Sequence, residues 1–180
     1  MFARFVAAAT VVFALSSPAW AADRENLQIA RDVSKQVMTY SQFSVYDAVH
    51  MQIDNGVVTL TGRVTMPYKK NDIEKRVAKI DGVHQVVNQI GVLPVSMFDD
   101  ELRFRIARAI YGNSTFWTYG SMANPPIHVI VENGHVTLDG VVNNNVERML
   151  ARSIASSFGA FSVTNDLKTD AEMQQELERL

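Results

Sequence analysis

Residues 53–64 read IDNGVVTLTGRV, and residues 131–142 read VENGHVTLDGVV. Seven of these twelve positions are identical at a constant offset of 78, so one structural unit is written twice. In each copy an Asn-Gly pair, Asn55-Gly56 or Asn133-Gly134, separates two apolar alternating runs. Both residue types tolerate the positive φ of a tight type I′ turn, so each pair predicts a β-hairpin. Val58, Leu60 and Gly62 alternate with Thr59, Thr61 and Arg63, and Val136, Leu138 and Gly140 alternate with Thr137 and Asp139. That alternation gives each second strand one buried and one wetter face. Gly62 and Gly140 fall inside the strand, which marks a bulge or a close approach by another element. The helix that follows is the expected neighbour.

The likeness extends both ways with a one-residue slip. Ile29-Ala30-Arg31 matches Ile106-Ala107-Arg108 upstream; downstream, Gly82 and Asn88-Gln89-Ile90 match Gly159 and Asn165-Asp166-Leu167. Ahead of each hairpin a helix is predicted, with Ile29, Ala30, Val33 and Val37 on one face in the first copy. In the second copy that face carries Leu102, Ile106, Ala109 and Ile110. Behind each hairpin the spacing predicts another helix, over about 70–79 (Ile73, Val77, Ile80) and about 144–156 (Val146, Leu150, Ile154). Gly82 and Gly159 suit helix termination, and short apolar strands over 83–92 and 161–167 close the copies. The expected fold is therefore α+β: two αββαβ modules, each a three-stranded mixed sheet with both helices packed on one face.

The predicted boundaries are 22–94 for the first module, 95–170 for the second, and 171–180 for a tail. A link as short as Val92 to Ser96 favours modules held close together. Asp99-Asp100-Glu101 suits a helix N-terminus, which is reason enough for an acidic cluster there. In the tail, Met173, Leu177 and Leu180 align if Asp170–Leu180 is helical.

The first 21 residues read as a secretory leader. Arg4 supplies a positive start, Phe5 to Leu15 is apolar, and Ala19-Trp20-Ala21 fits a small-x-small cleavage site. Cleavage is expected after Ala21, the alternative being a retained N-terminal anchor. The remaining chain has a formal charge of −3, which argues against nucleic acid as a partner. The absence of cysteine excludes disulfides, thiolate metal sites and cysteine nucleophiles.

The pattern Ile53-x-Asn55-Gly56-x-Val58-Thr59-Leu60-x-Gly62-x-Val64, then a helix, then Gly82-Val83-x-x-Val86-x-Asn88-x-Ile90, resembles the BON domain. The second copy resembles it through Asn133-Gly134-x-Val136-Thr137-Leu138-x-Gly140 and Gly159 to Leu167, departing where Gly-Val becomes Gly159-Ala160. The resemblance covers about residues 25–170. It implies an αββαβ fold, periplasmic residence, a phospholipid-binding role and a part in envelope integrity or osmotic stress. It implies no catalytic residue and no cofactor.

The residues themselves point the same way. No phosphate loop, dinucleotide fingerprint or nucleophile elbow is present. His50, His84, His128 and His135 have no metal-ligand spacing, and His128 is expected to face solvent from its strand. The expectation is a binding protein, not an enzyme, with no metal. Its candidate contact residues are Phe104, Arg108 and Tyr111 on one helix, then Phe116, Trp117 and Tyr119 in the polar segment after it. Aromatic rings beside arginine suit a phospholipid surface, where rings sit at headgroup depth and guanidinium pairs phosphate. The same residues suit an envelope protein as partner, which would make the chain an adaptor or stress-protective factor. The third reading is that these rings fold over the core end, as Phe43 and Tyr46 could in the first copy.

Overall fold

The computed structural model describes residues 19–177. The predicted leader, except for Ala19 to Ala21, lies outside the described residues, as does Leu180 of the tail. In the first module α1 (Ala19–Met38) leads into the hairpin of β1 (Ala48–Asp54) and β2 (Val57–Val64). Then come α2 (Pro67–Val77) and a closing strand in two pieces, β3 (Gln85–Asn88) and β4 (Gly91–Val92). The second module opens with α3 (Met97–Tyr111), a 3-10 turn at Ser114–Phe116 and the one-turn helix α4 (Trp117–Gly120). It continues through β5 (Ile127–Glu132), β6 (His135–Val142), α5 (Asn145–Ala155), β7 (Ser162–Asn165) and β8 (Lys168–Thr169). A last helix, α6 (Asp170–Leu177), follows.

In each sheet the hairpin strands are antiparallel and the closing strand runs parallel to the middle one. The middle strand sends Val58, Leu60 and Val64 into a core with Ile29, Val33, Ile73 and Val77. In the second module Val136, Leu138 and Val142 meet Leu102, Ile106, Ile110, Ala151 and Ala155. The two αββαβ modules predicted from the hydrophobic periodicity are therefore present, with both helices on one face. One expected core residue is not in the core: Val146 is 74% exposed, because α5 seats on Ala151 and Ala155.

The Asn-Gly turns form as their chemistry requires. Asn55 and Gly56 have φ of 48° and 77°, and Asn133 and Gly134 have 54° and 76°. Gly62 and Gly140 also take positive φ, 114° and 119°. A Cβ there would lie 2.1 Å from the Ala48 carbonyl oxygen and 1.9 Å from that of Pro126. The close neighbour is thus the first strand of the same hairpin or the residue just before it, and not the following helix as expected. The positive φ bends the middle strand against its own hairpin partner.

Helix ends follow local rules. α2 starts three residues earlier than the hydrophobic spacing indicates, because Pro67 suits a first helical turn. Ser96 and Asn144 cap α3 and α5, accepting from the Asp99 and Glu147 amides at 3.2 and 3.0 Å. Gly159 is a left-handed cap, whereas Gly82 lies beyond the end of α2, in the turn entering β3. In both copies an asparagine ties the closing strand to the second helix: Asn88 donates to the Lys70 carbonyl at 3.0 Å, Asn165 to that of Arg148 at 2.9 Å.

Candidate functional site

The modules are joined by more than their link. The Val129 amide donates to the Val45 carbonyl at 2.7 Å, extending the edge of the second sheet with the loop ahead of β1. Val45 and Tyr46 from that loop pack on the second module's core. Across the helix-free faces of the two sheets, Arg63 pairs with Glu132 at 3.1 Å and His50 approaches Asp139 at 3.3 Å. Ala48, Leu93 and Ile130 form a small apolar cluster between them. His128 is the clearest correction here: it is buried, packs on Phe43 with ring centroids 5.4 Å apart, and meets the Ser44 carbonyl. Its outward-pointing strand position is covered by the other module, which no local pattern records. Burial pushes its imidazole below the ordinary range, against the opposing pull of Asp139.

The six predicted contact residues divide in two. Phe116 is fully buried and Tyr119 nearly so. The Tyr119 hydroxyl donates to Glu147 at 2.6 Å and accepts from the Asn143 amide at 3.0 Å. Burial, then the Glu147 hydrogen bond, push that phenol up to about 12. Tyr111 is half-buried, and its hydroxyl bonds both the amide and the carbonyl of Ile127. These three rings lie in or against the core of the second module. Phe104, Arg108 and Trp117 are exposed, with Phe104 at 56% and Trp117 at 73%.

The structure adds residues that the hydrophobic pattern did not mark. Val95, Met97 and Phe98 are exposed, Met97 to 89%. They stand where the sequence reads as a link and a helix start, so their apolar character was the only available signal. Met97 and Phe104 are seven residues apart on α3, as are Phe98 and Arg105, so they share its outer side with Arg108. Arg105 also stacks on Phe158, 5.3 Å from the ring centre. Asp99, read as a helix-start acid, is buried and does more: its carboxylate accepts from the Asn133 and Gly134 amides, both at 2.8 Å. It therefore holds the second hairpin turn.

Among the described residues no group of three or more His, Asp or Glu is placed to hold a metal ion. No helix among them is long and apolar enough to cross a membrane. What the geometry defines is a tandem of small α+β modules with exposed apolar surface on one helix. A profile of the BON domain matches residues 26–94 and again 99–171. The chain belongs to the BON domain family. Domains of this family are associated with phospholipid binding and with envelope and osmotic-stress proteins, and they occur in periplasmic or envelope proteins. No curated protein matches the chain. Among solved structures, the chain is similar to CdsD, a structural protein of the type III secretion system of Chlamydia trachomatis. That likeness has 15% identity and a TM-score of 0.30, over 84% of this chain and 97% of the other. The C-terminal domain of CdsD matches at 13% identity and a TM-score of 0.28, over 76% and 94% of the two chains.

Proposed function

We propose that this is a non-catalytic periplasmic binding protein that engages a phospholipid surface through the outer side of α3, in envelope maintenance or stress. The observation that supports it is the grouping of Met97, Phe98 and Phe104, all more than half exposed, with Arg105 and Arg108 on one helix. Exposed rings and methionines cost free energy in water and gain it at headgroup depth. Among the described residues the ion pairs of α3 are Arg103 with Asp100 and Arg105 with Glu101, neither involving the exposed Arg108, which leaves its guanidinium for lipid phosphate. Trp117, on the short helix that follows, extends the same chemistry.

Co-sedimentation of residues 22–180 with anionic vesicles tests this. Binding at low salt should fall at least tenfold with Phe98→Ser plus Phe104→Ser, and less with Trp117→Ser. Failure to pellet at low salt overturns the lipid reading. A pull-down from envelope extracts that loses a defined protein with the same double variant would instead support an adaptor role.

A further inference from the structure

The outer edge of β5 is occupied along its length. In a two-residue hairpin the pair flanking the turn exchanges hydrogen bonds, as does every second pair beyond it. The residues between aim their N–H and C=O away from the partner strand. With Glu132 facing His135 at the turn, those residues in β5 are Ile127, Val129 and Val131. The Tyr111 hydroxyl bonds the Ile127 amide at 3.1 Å and also its carbonyl. The Val129 amide donates to Val45, and Arg103 donates to the Val131 carbonyl at 3.1 Å.

The same edge of β1 is bare. Asp54 faces Val57 at its turn, so Val49, Met51 and Ile53 aim outward, at the places of Ile127, Val129 and Val131. Among the described residues none of these three has a backbone partner on that side. The capping groups are missing from the sequence itself: Asn26 and Ser34 stand where the second module has Arg103 and Tyr111. Natural edge strands are commonly blocked by lysine or proline. β1 contains neither, and its Met51 side chain is exposed.

A groove of about 180 Å³ has Val49 and Met51 in its lining, below the ~300 Å³ typical of small-molecule sites. Val37, Met38 and Met51 wall it from the first module, and Val141, Lys168 and Met173 from the second side. It continues the join of the modules, where Val45, just ahead of β1, already bonds the edge of β5. Its charges are matched within the chain, Lys168 with Glu176 and His50 with Asp139, so it suits an uncharged occupant. Walls from both modules admit one extended chain and exclude the edge of a second folded copy. We propose that β1 takes an extended, uncharged segment of a partner protein as an added strand. The backbone of that segment pairs with Val49, Met51 and Ile53, and its alternate apolar side chains meet the three methionines, which adapt to varied sequences.

The probe is a peptide blocked at both ends, Lys-Thr-Val-Thr-Val-Thr-Val-Thr-Glu, titrated into residues 22–180 and followed by fluorescence anisotropy and amide exchange. One equivalent should bind and slow exchange at the Val49, Met51 and Ile53 amides at least tenfold. The same peptide N-methylated at its central threonine and a neighbouring valine, which blocks both of its edges, should bind at least tenfold more weakly. Met51→Pro removes an outward donor and no bond to β2, and should weaken binding about tenfold. Met38→Glu, at the exposed wall, should do the same; if Met51→Pro fails to fold, Met38→Glu and the methylated peptide decide. Equal affinity for the methylated peptide overturns the proposal, as does protection that misses β1 or indifference to Met38→Glu. Dimers in sedimentation with β1 amides already protected would give the edge to a second copy and overturn it too. Phe98→Ser separates this idea from the membrane reading: it should lower vesicle binding and leave peptide binding unchanged.

Discussion

The two modules build the same corner, where the middle strand meets the second helix, with different chemistry. In the first, Asp47 is wholly buried and accepts from the backbone and hydroxyl of both Ser44 and Thr65, and from Lys69. Burial alone would raise its carboxyl; these hydrogen bonds, Lys69 first, outweigh it and hold it below the usual carboxylate range. In the second, Asn143 stands at the place of Thr65 and Glu147 at that of Lys69, and the corner closes through Tyr119, Glu147 and the Asn143 amide. The helices differ in the same way. α2 buries Ile73 and Val77 where α5 buries Ala151 and Ala155, and Phe116 fills the second core instead. A repeated backbone thus keeps its turns and exchanges its fillings. The buried residue types can change only together, because each corner must be both packed and hydrogen-bonded.

The largest expected effect tests what the copies share. Gly62→Ala and Gly140→Ala place a Cβ against a carbonyl at 2.1 and 1.9 Å on a left-handed backbone. Either should cost more than about 5 kcal/mol, enough to unfold its module, as read by urea denaturation and amide exchange. Next is the filling that only the second copy has. Phe116→Ala should cost about 4 kcal/mol, while Trp117→Ala, one residue on but exposed, should stay within about 0.5 kcal/mol. Equal losses would mean that the segment does not sit as described.

The corners provide a third comparison. Lys69→Met leaves the Asp47 charge buried without its cation and should cost about 3 kcal/mol. Glu147→Gln, half-buried and still able to accept from Tyr119, should cost about 1 kcal/mol. A similar loss at both would show that the two corners are energetically alike. The smallest effect is a pH dependence special to the second module. The folded-state pKa of His128 lies below its unfolded value near 6.5, so its contribution is present above that pH and declines as pH falls toward the folded pKa. Unfolding free energy should decline gently as pH falls from 7 to 5, and His128→Gln should flatten that slope.

The sequence by itself determined the local geometry. Asn-Gly between alternating runs sets a type I′ hairpin within four residues, and the apolar periods of Ile29, Val33, Val37 or Leu102, Ile106, Ile110 set which helix face goes inward. A repeat then makes each of these readings twice as strong. Their physics is short-ranged, in backbone torsions and in the pitch of helix and strand. Only the tertiary structure decided which of the six candidate side chains stay outside. Phe116 and Tyr119 stand beside Trp117 in polar sequence, yet they are buried and it is not, because α5 presents two alanines and a carboxylate at that place. His128 alternates like an outward residue and is buried because a loop more than eighty residues earlier covers its strand. The sequence already sets the copies apart ahead of the hairpin, in the longer aromatic segment Phe116-Trp117-Tyr119 of the second. Where those rings go is decided by contact between segments far apart in the chain, as is the closing of the second module's edge by the loop ahead of β1.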